Sequence, residues 1–153
     1  MQRRLFLKGS LAASATGVAV GAGLLTPAAV LAEYPKAAFE AKDLNAAINA
    51  IAGGTPSESG DITVKAPDIA ENGAVVPVTI STGMAGVSSI SMLAPNNPVP
   101  LLASFNLGEG AEAYVSTRVK MGKTGDVIAV VKAGDKLVSN KKEVKVTIGG
   151  CGG

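Results

Sequence analysis

From Gly60 onward the apolar residues recur at every second position, and turn residues interrupt the chain at short intervals. A period of two commits a segment to strands that bury one face. Seven candidate strands follow: Asp61 to Lys65, Ala74 to Ser81, Val87 to Leu93, Val99 to Asn106, Glu112 to Lys120, Val127 to Lys132 and Lys141 to Ile148. In the fifth, Ala113, Val115, Thr117 and Val119 point one way, and Tyr114, Ser116, Arg118 and Lys120 the other. In the seventh, Val144, Val146 and Ile148 alternate with Lys145 and Thr147. Between the strands lie Glu71-Asn72-Gly73, Pro95-Asn96-Asn97-Pro98, Gly108-Glu109-Gly110, Gly122-Lys123-Thr124-Gly125-Asp126 and Ala133-Gly134-Asp135, which supply positive φ or preset turn geometry. Seven short strands so spaced predict an all-β fold, an immunoglobulin-like antiparallel β-sandwich. The Cys and Trp pins of antibody domains are missing, so the expectation concerns architecture alone. Pro77 cannot donate to a ladder, which puts an edge or a bulge in the second strand. An exposed edge could receive a partner strand.

Ahead of the strands the period is helical. Ala41, Leu44, Ala47, Ile48 and Ile51 fall on one face of the segment from Ala37 to Ala52, with Glu40, Lys42, Asp43, Asn45 and Asn49 opposite. One amphipathic helix is expected there, stopped by Gly53-Gly54.

The first 32 residues have the composition of an export signal rather than of a fold: Arg3, Arg4 and Lys8, then an uncharged Ala-, Gly-, Ser- and Thr-rich stretch from Gly9 to Ala32. Arg3-Arg4-Leu5-Phe6-Leu7-Lys8 resembles the twin-arginine signal, which addresses folded proteins. Only Gln2, where Ser or Thr is usual, departs from that pattern. A Sec signal with two chance arginines is the plainer alternative; the full pattern and the weakly apolar stretch favour the twin-arginine route. A permanent membrane anchor is disfavoured by the glycines, the Ser and Thr residues and Pro27. Val30 and Ala32 place cleavage between Ala32 and Glu33, and loss of Arg3, Arg4 and Lys8 takes the 14 basic residues to 11 against 12 acidic ones. The segments expected are thus 1–32 signal, 33–60 helix and linker, 61–148 sandwich and 149–153 a Gly-rich arm, in a periplasmic protein.

Composition removes most catalytic chemistry. Without histidine there is no Ser-His-Asp or Cys-His arrangement, no HExxH zinc site and no histidine base. One cysteine builds neither a Cys-rich metal cage nor an internal disulfide. Aromatics at 3% leave the core to Val, Ile, Leu and Ala, and a net charge of +2 with no basic run gives no reason to expect nucleic acid. No cofactor is implied.

The remaining chemistry is in Gly149-Gly150-Cys151-Gly152-Gly153. A frayed tail with an incidental thiol is the plain reading, but a free thiol in an oxidising compartment is a liability. Glycines on both sides make Cys151 a thin tether that enters a narrow pocket without side-chain collisions. At about 3.5 Å per residue, three steps carry it roughly 10 Å beyond Ile148. No adjacent base or cation activates the thiol, so this is an attachment point served by other proteins rather than a catalytic centre. A lipoprotein anchor and prenylation fail on position, and a redox relay wants a second cysteine. Other candidates are weaker. Met84, Met92 and Met121 with Cys151 lack ligand spacing and suit core packing better than soft-metal binding. Glu109 and Glu112 read as a solvated loop and strand start before a carboxylate pair. Lys141, Lys142 and Lys145 read as the solvent face of the last strand slightly ahead of a docking patch.

A terminal Gly-Gly-Cys-Gly-Gly behind a small all-β domain and a twin-arginine signal resembles the SoxY family, carriers of the bacterial Sox sulfur-oxidising system. Ala50-Ile51-Ala52-Gly53-Gly54 and the run from Ala66 to Gly73 leading into Val75-Val76-Pro77-Val78 are similar to that family too. The resemblance implies a covalent carrier, not itself an enzyme, with Cys151 as attachment atom and Gly149, Gly150, Gly152 and Gly153 as arm. It implies a heterodimer with a SoxZ-like subunit, which folded export on one signal would suit. The enzymes it implies are a SoxAX-like c-type haem enzyme that joins thiosulfate to the thiol, a SoxB-like hydrolase that releases sulfate, and in some bacteria a SoxCD-like sulfane dehydrogenase. Two other readings stand beside it: a structural or adhesive immunoglobulin-like module whose cysteine makes an intermolecular disulfide, and a thiol-based metal carrier.

Overall fold

The computed structural model describes residues 35–147. The signal segment, Ile148 and the arm at 149–153 lie outside the described residues.

The described residues open with two helices, α1 (Lys36–Glu40) and α2 (Leu44–Ala52). This corrects the expectation of one continuous helix. Asp43 has extended backbone, φ −113° and ψ 142°, and its carboxylate accepts from the Ala46 N–H at 3.0 Å, so it caps a new helix instead of continuing the old one. Gly53 closes α2 in the left-handed region at φ 74°, as expected of a glycine stop.

Among the described residues nine strands follow: β1 (Ser57–Glu58), β2 (Ile62–Lys65), β3 (Ile69–Ala70), β4 (Val76–Thr82), β5 (Val87–Leu93), β6 (Leu101–Asn106), β7 (Tyr114–Val119), β8 (Gly125–Ala133) and β9 (Lys136–Val146). β2 and β4 to β9 correspond to the seven expected strands. One sheet has the order β1-β9-β8-β5-β6, with β3 also on β9; the other is β2-β4-β7. The two form an immunoglobulin-like sandwich. All pairings between the seven longer strands are antiparallel, whereas β1 and β3 run parallel to β9. These two short pieces sit on the outer edge of β9 at Val138–Ser139 and at Lys145–Val146, covering two short stretches of an edge that would otherwise be open.

The largest boundary change is in the last strand, which begins at Lys136 and not at Lys141. Ala133 pairs with Lys136, so Gly134-Asp135 is a two-residue hairpin loop, with Gly134 at φ 57°, and the ladder starts at once. Pro77 is on the part of β4 that pairs with β7 through Arg118 but lies beyond the ladder to β2, which ends at Thr79. It has the local edge that proline needs.

Between the sheets, Ile62, Val76, Val78 and Ile80 meet Ile90, Met92, Val127, Val131 and Val144. On the outer face of the larger sheet a second cluster, Leu93, Leu101 and Val130, packs under Ala38, Ala47 and Ile48 of the helices. β8 therefore buries both faces, which explains the unbroken apolar run from Val127 to Val131. Among the described residues no helix is long and apolar enough to cross a membrane.

Candidate functional site

The end of β9 is the root from which the chain continues to Cys151. Its last residues are held on two sides. Toward β3, the Lys145 N–H donates to the Asp68 carbonyl at 3.0 Å and the Thr147 N–H to the Ala70 carbonyl at 3.1 Å. On the other side, the Val146 N–H donates to Thr124 Oγ1 at 2.9 Å, and the Thr124 hydroxyl donates to the Val146 carbonyl at 3.3 Å. A strand end usually frays; here backbone bonds continue through Thr147.

The surrounding loops are tied to one another by side chains. Asn96 Nδ2 donates to the Thr124 carbonyl at 2.7 Å, which braces the residue that holds Val146. Asn97 Nδ2 donates to the Lys120 carbonyl at 2.7 Å, and its Oδ1 accepts from the Gly122 N–H at 2.9 Å. Gly73 is required by closeness: a Cβ there would run into the Met121 carbonyl and lie 2.7 Å from Val146 Cγ1. By local sequence Asn96, Asn97, Gly73 and Thr124 are turn residues and nothing more. Their bracing role depends on contacts 22 to 28 residues apart for the Asn and Thr side chains, which no local pattern reveals.

Four residue steps separate Thr147 from Cys151, so the thiol-bearing residue lies within about 14 Å of this root. Cys151 itself and the glycines Gly149, Gly150, Gly152 and Gly153 fall outside the described residues. The other sequence candidates separate. Met92 and Met121 are buried in the inter-sheet core and Met84 packs against it, which is a packing role. Glu109 and Glu112 are exposed in the connection between β6 and β7. Lys142 pairs with Asp68 at 3.0 Å and Lys141 with Asp126 at 3.8 Å, so two of the four lysines of β9 have carboxylate neighbours. Among the described residues no cluster of His, Cys, Asp or Glu could hold a metal ion.

A groove of about 550 Å³ is lined by the β4–β5 connection at Gly83, Met84 and Gly86 and by Leu107, Glu109 and Gly110. The Gly134 N–H donates to the Gly86 carbonyl, which puts this groove at the hairpin end of β9. The 11 residues of β9 span roughly 33 Å at about 3.3 Å each. Cys151, tethered at the opposite end, is too far away for this groove to serve it.

A family model described as Sulfur oxidation protein SoxY matches residues 48–151. The chain belongs to the SoxY family. The match runs from α2 through every strand and reaches Cys151. Among solved structures, the sulfur carrier protein SoxY from Chlorobium limicola f thiosulfatophilum is 47% identical, with a TM-score of 0.63, covering 69% of this chain and 97% of that one. The superantigen toxic shock syndrome toxin-1 aligns at 14% identity and a TM-score of 0.40, over 56% of this chain and 99% of that one, too weak a likeness to bear on the fold or the site. No curated protein matches the chain.

Proposed function

We propose that this protein is a periplasmic covalent sulfur carrier in thiosulfate oxidation, with Cys151 as the attachment atom. The observation that carries the reading is a SoxY-family match that extends to Cys151, in a chain with no other thiol. The firm root at Thr147 and the glycine-only surroundings of the cysteine support it. A fixed body presents a thiol on a backbone with no neighbouring side chains to obstruct a pocket.

Loading is an oxidation. The Cys151 thiol and thiosulfate join through a new S–S bond to give a cysteine S-thiosulfonate, releasing one proton and two electrons, which pass to the haem iron of a SoxAX-like partner. A SoxB-like hydrolase then adds water at the terminal sulfone sulfur. The bond between that sulfur and the sulfane sulfur breaks, sulfate and two protons leave, and the sulfane sulfur stays on Cys151 as a persulfide anion. A SoxCD-like dehydrogenase, where present, oxidises that outer sulfur to a sulfonate, with oxygen from water and the electrons and protons passing to the dehydrogenase's acceptor and to solvent, and a second hydrolysis then releases sulfate and returns the Cys151 thiol. Folded export through the twin-arginine signal brings the carrier with a SoxZ-like subunit to these enzymes. The chain supplies the nucleophile and its reach, while the partners supply the bases and the redox centres.

The test is thiosulfate loading by the haem enzyme, read as intact mass, for the wild type and Cys151→Ser. The wild type should gain the S-thiosulfonate and the variant nothing, with the same unfolding transition. Normal loading of the serine variant would sink the proposal.

A further inference from the structure

The stretch from Ile69 to Val78 contains more than its fold needs. Ala70, Val76 and Val78 are buried in the inter-sheet core. Asn72 makes the turn, its Oδ1 accepting from the Ala74 N–H at 2.9 Å and its carbonyl from the Val75 N–H at 3.3 Å. Gly73 is set by the Met121 carbonyl. Ile69 and Val75 have no such assignment: 58% and 49% of their surfaces are exposed. Among the described residues only Tyr114 joins them as a large exposed hydrophobic. Tyr114 pairs with Ser81 near the far end of β4, whereas Ile69 pairs with Lys145 beside the arm root and Val75 closes the loop packed on Val146.

We propose that Ile69 and Val75 form a docking surface for the enzymes that act on Cys151. This rests on the carrier reading above and follows from reach. Cys151 lies within about 14 Å of Thr147, so an enzyme that closes around it in a pocket brings its own rim against the body at the arm root. The large exposed aliphatic side chains beside that root are Ile69 and Val75. Burying two aliphatic side chains strengthens a brief encounter without making a permanent one, which suits successive visitors. A subunit seated there permanently would stand between the thiol and every active site, so the occupant is the visiting enzyme, presenting an apolar rim to its substrate channel.

The experiment compares the full chain, with its companion subunit, as wild type, as Ile69→Asp/Val75→Asp and as Tyr114→Asp. Each is titrated as substrate of the thiosulfate-coupling haem enzyme with an electron acceptor, and Cys151 loading is followed by mass. Each is also loaded directly with tetrathionate, whose central S–S bond is broken by the thiolate to give the same S-thiosulfonate and free thiosulfate. The double variant should lose about tenfold or more in enzyme-driven kcat/KM, mainly through KM, and Tyr114→Asp should not. Direct loading should be equal in all three. Enzyme-driven loading of the double variant within twofold of wild type overturns the docking proposal while leaving the carrier reading standing. Loss of the companion subunit, or conversion of a dimer of this chain to monomer, reassigns the surface and also overturns it. Failure of the wild type to load by the enzyme overturns the carrier reading and the docking surface with it. If the aspartates prevent folding, Ile69→Ser/Val75→Thr takes the same comparison, with a smaller loss expected in the same direction.

Discussion

The smaller sheet packs one face on the core and leaves the other to solvent, whereas the larger sheet is covered on its second face too, where the helices lie over β5, β6 and β8. On β7 the buried Val115 and Val119 alternate with exposed Tyr114, Ser116 and Arg118. On β8 the inward residues Val127, Ala129 and Val131 alternate with Ile128 and Val130, which lie under the helices. The same pleat gives a polar–apolar alternation in one strand and a solid apolar run in the other, because the second face differs. The difference also separates two cores. The one between the sheets is centred on strands laddered on both sides, β4 in the smaller sheet and β5 and β8 in the larger, so atoms lost there are poorly replaced. The one beneath α1 and α2 is closed by a short helical layer that can settle onto a smaller neighbour.

Ile80→Ala should have the largest effect on stability. Ile80 is fully buried on the central strand of the small sheet, and denaturant unfolding should show a loss of about 4 kcal/mol. Gly73→Ala comes next, at about 2 to 3 kcal/mol, because the new methyl meets a backbone carbonyl that has no rotamer by which to move aside. It sharpens the comparison by loading strain onto the end of the inter-sheet core nearest the arm. Ile48→Ala, in the helical layer, should cost only about 2 kcal/mol. A loss as large as that of Ile80→Ala in the same titration would break the comparison and make the two cores one unit. Asp43→Ala removes a single cap from the same layer and should lower stability by about 1 kcal/mol, seen also as lost helical signal in circular dichroism.

The seven longer strands were legible because each is at least four residues long and carries an alternation or an apolar run of its own. β1 and β3 were not, since two residues hold no period and their partner on β9 is at least 76 residues away. The break in the helix was hidden for another reason. Ala41, Leu44, Ile48 and Ile51 all pack toward the larger sheet on both sides of Asp43, so a helical pattern survives a gap in the helix. Asp43 itself carried the missed signal, a capping side chain just before Leu44. Of the candidate site, Cys151 was legible through scarcity, as the one thiol among glycines. Its anchorage was not, because Thr124 and Asn96 look like ordinary turn residues until the fold brings them to Val146.

The most direct test of the carrier account is the intact mass of the protein isolated from the periplasm of thiosulfate-oxidising cells under non-reducing conditions, measured with and without a reductant. The account predicts additions of sulfur or thiosulfate that a reductant removes and that map to the peptide containing Cys151. An unmodified chain from actively oxidising cells, or a disulfide-linked dimer as the only modified form, would contradict it.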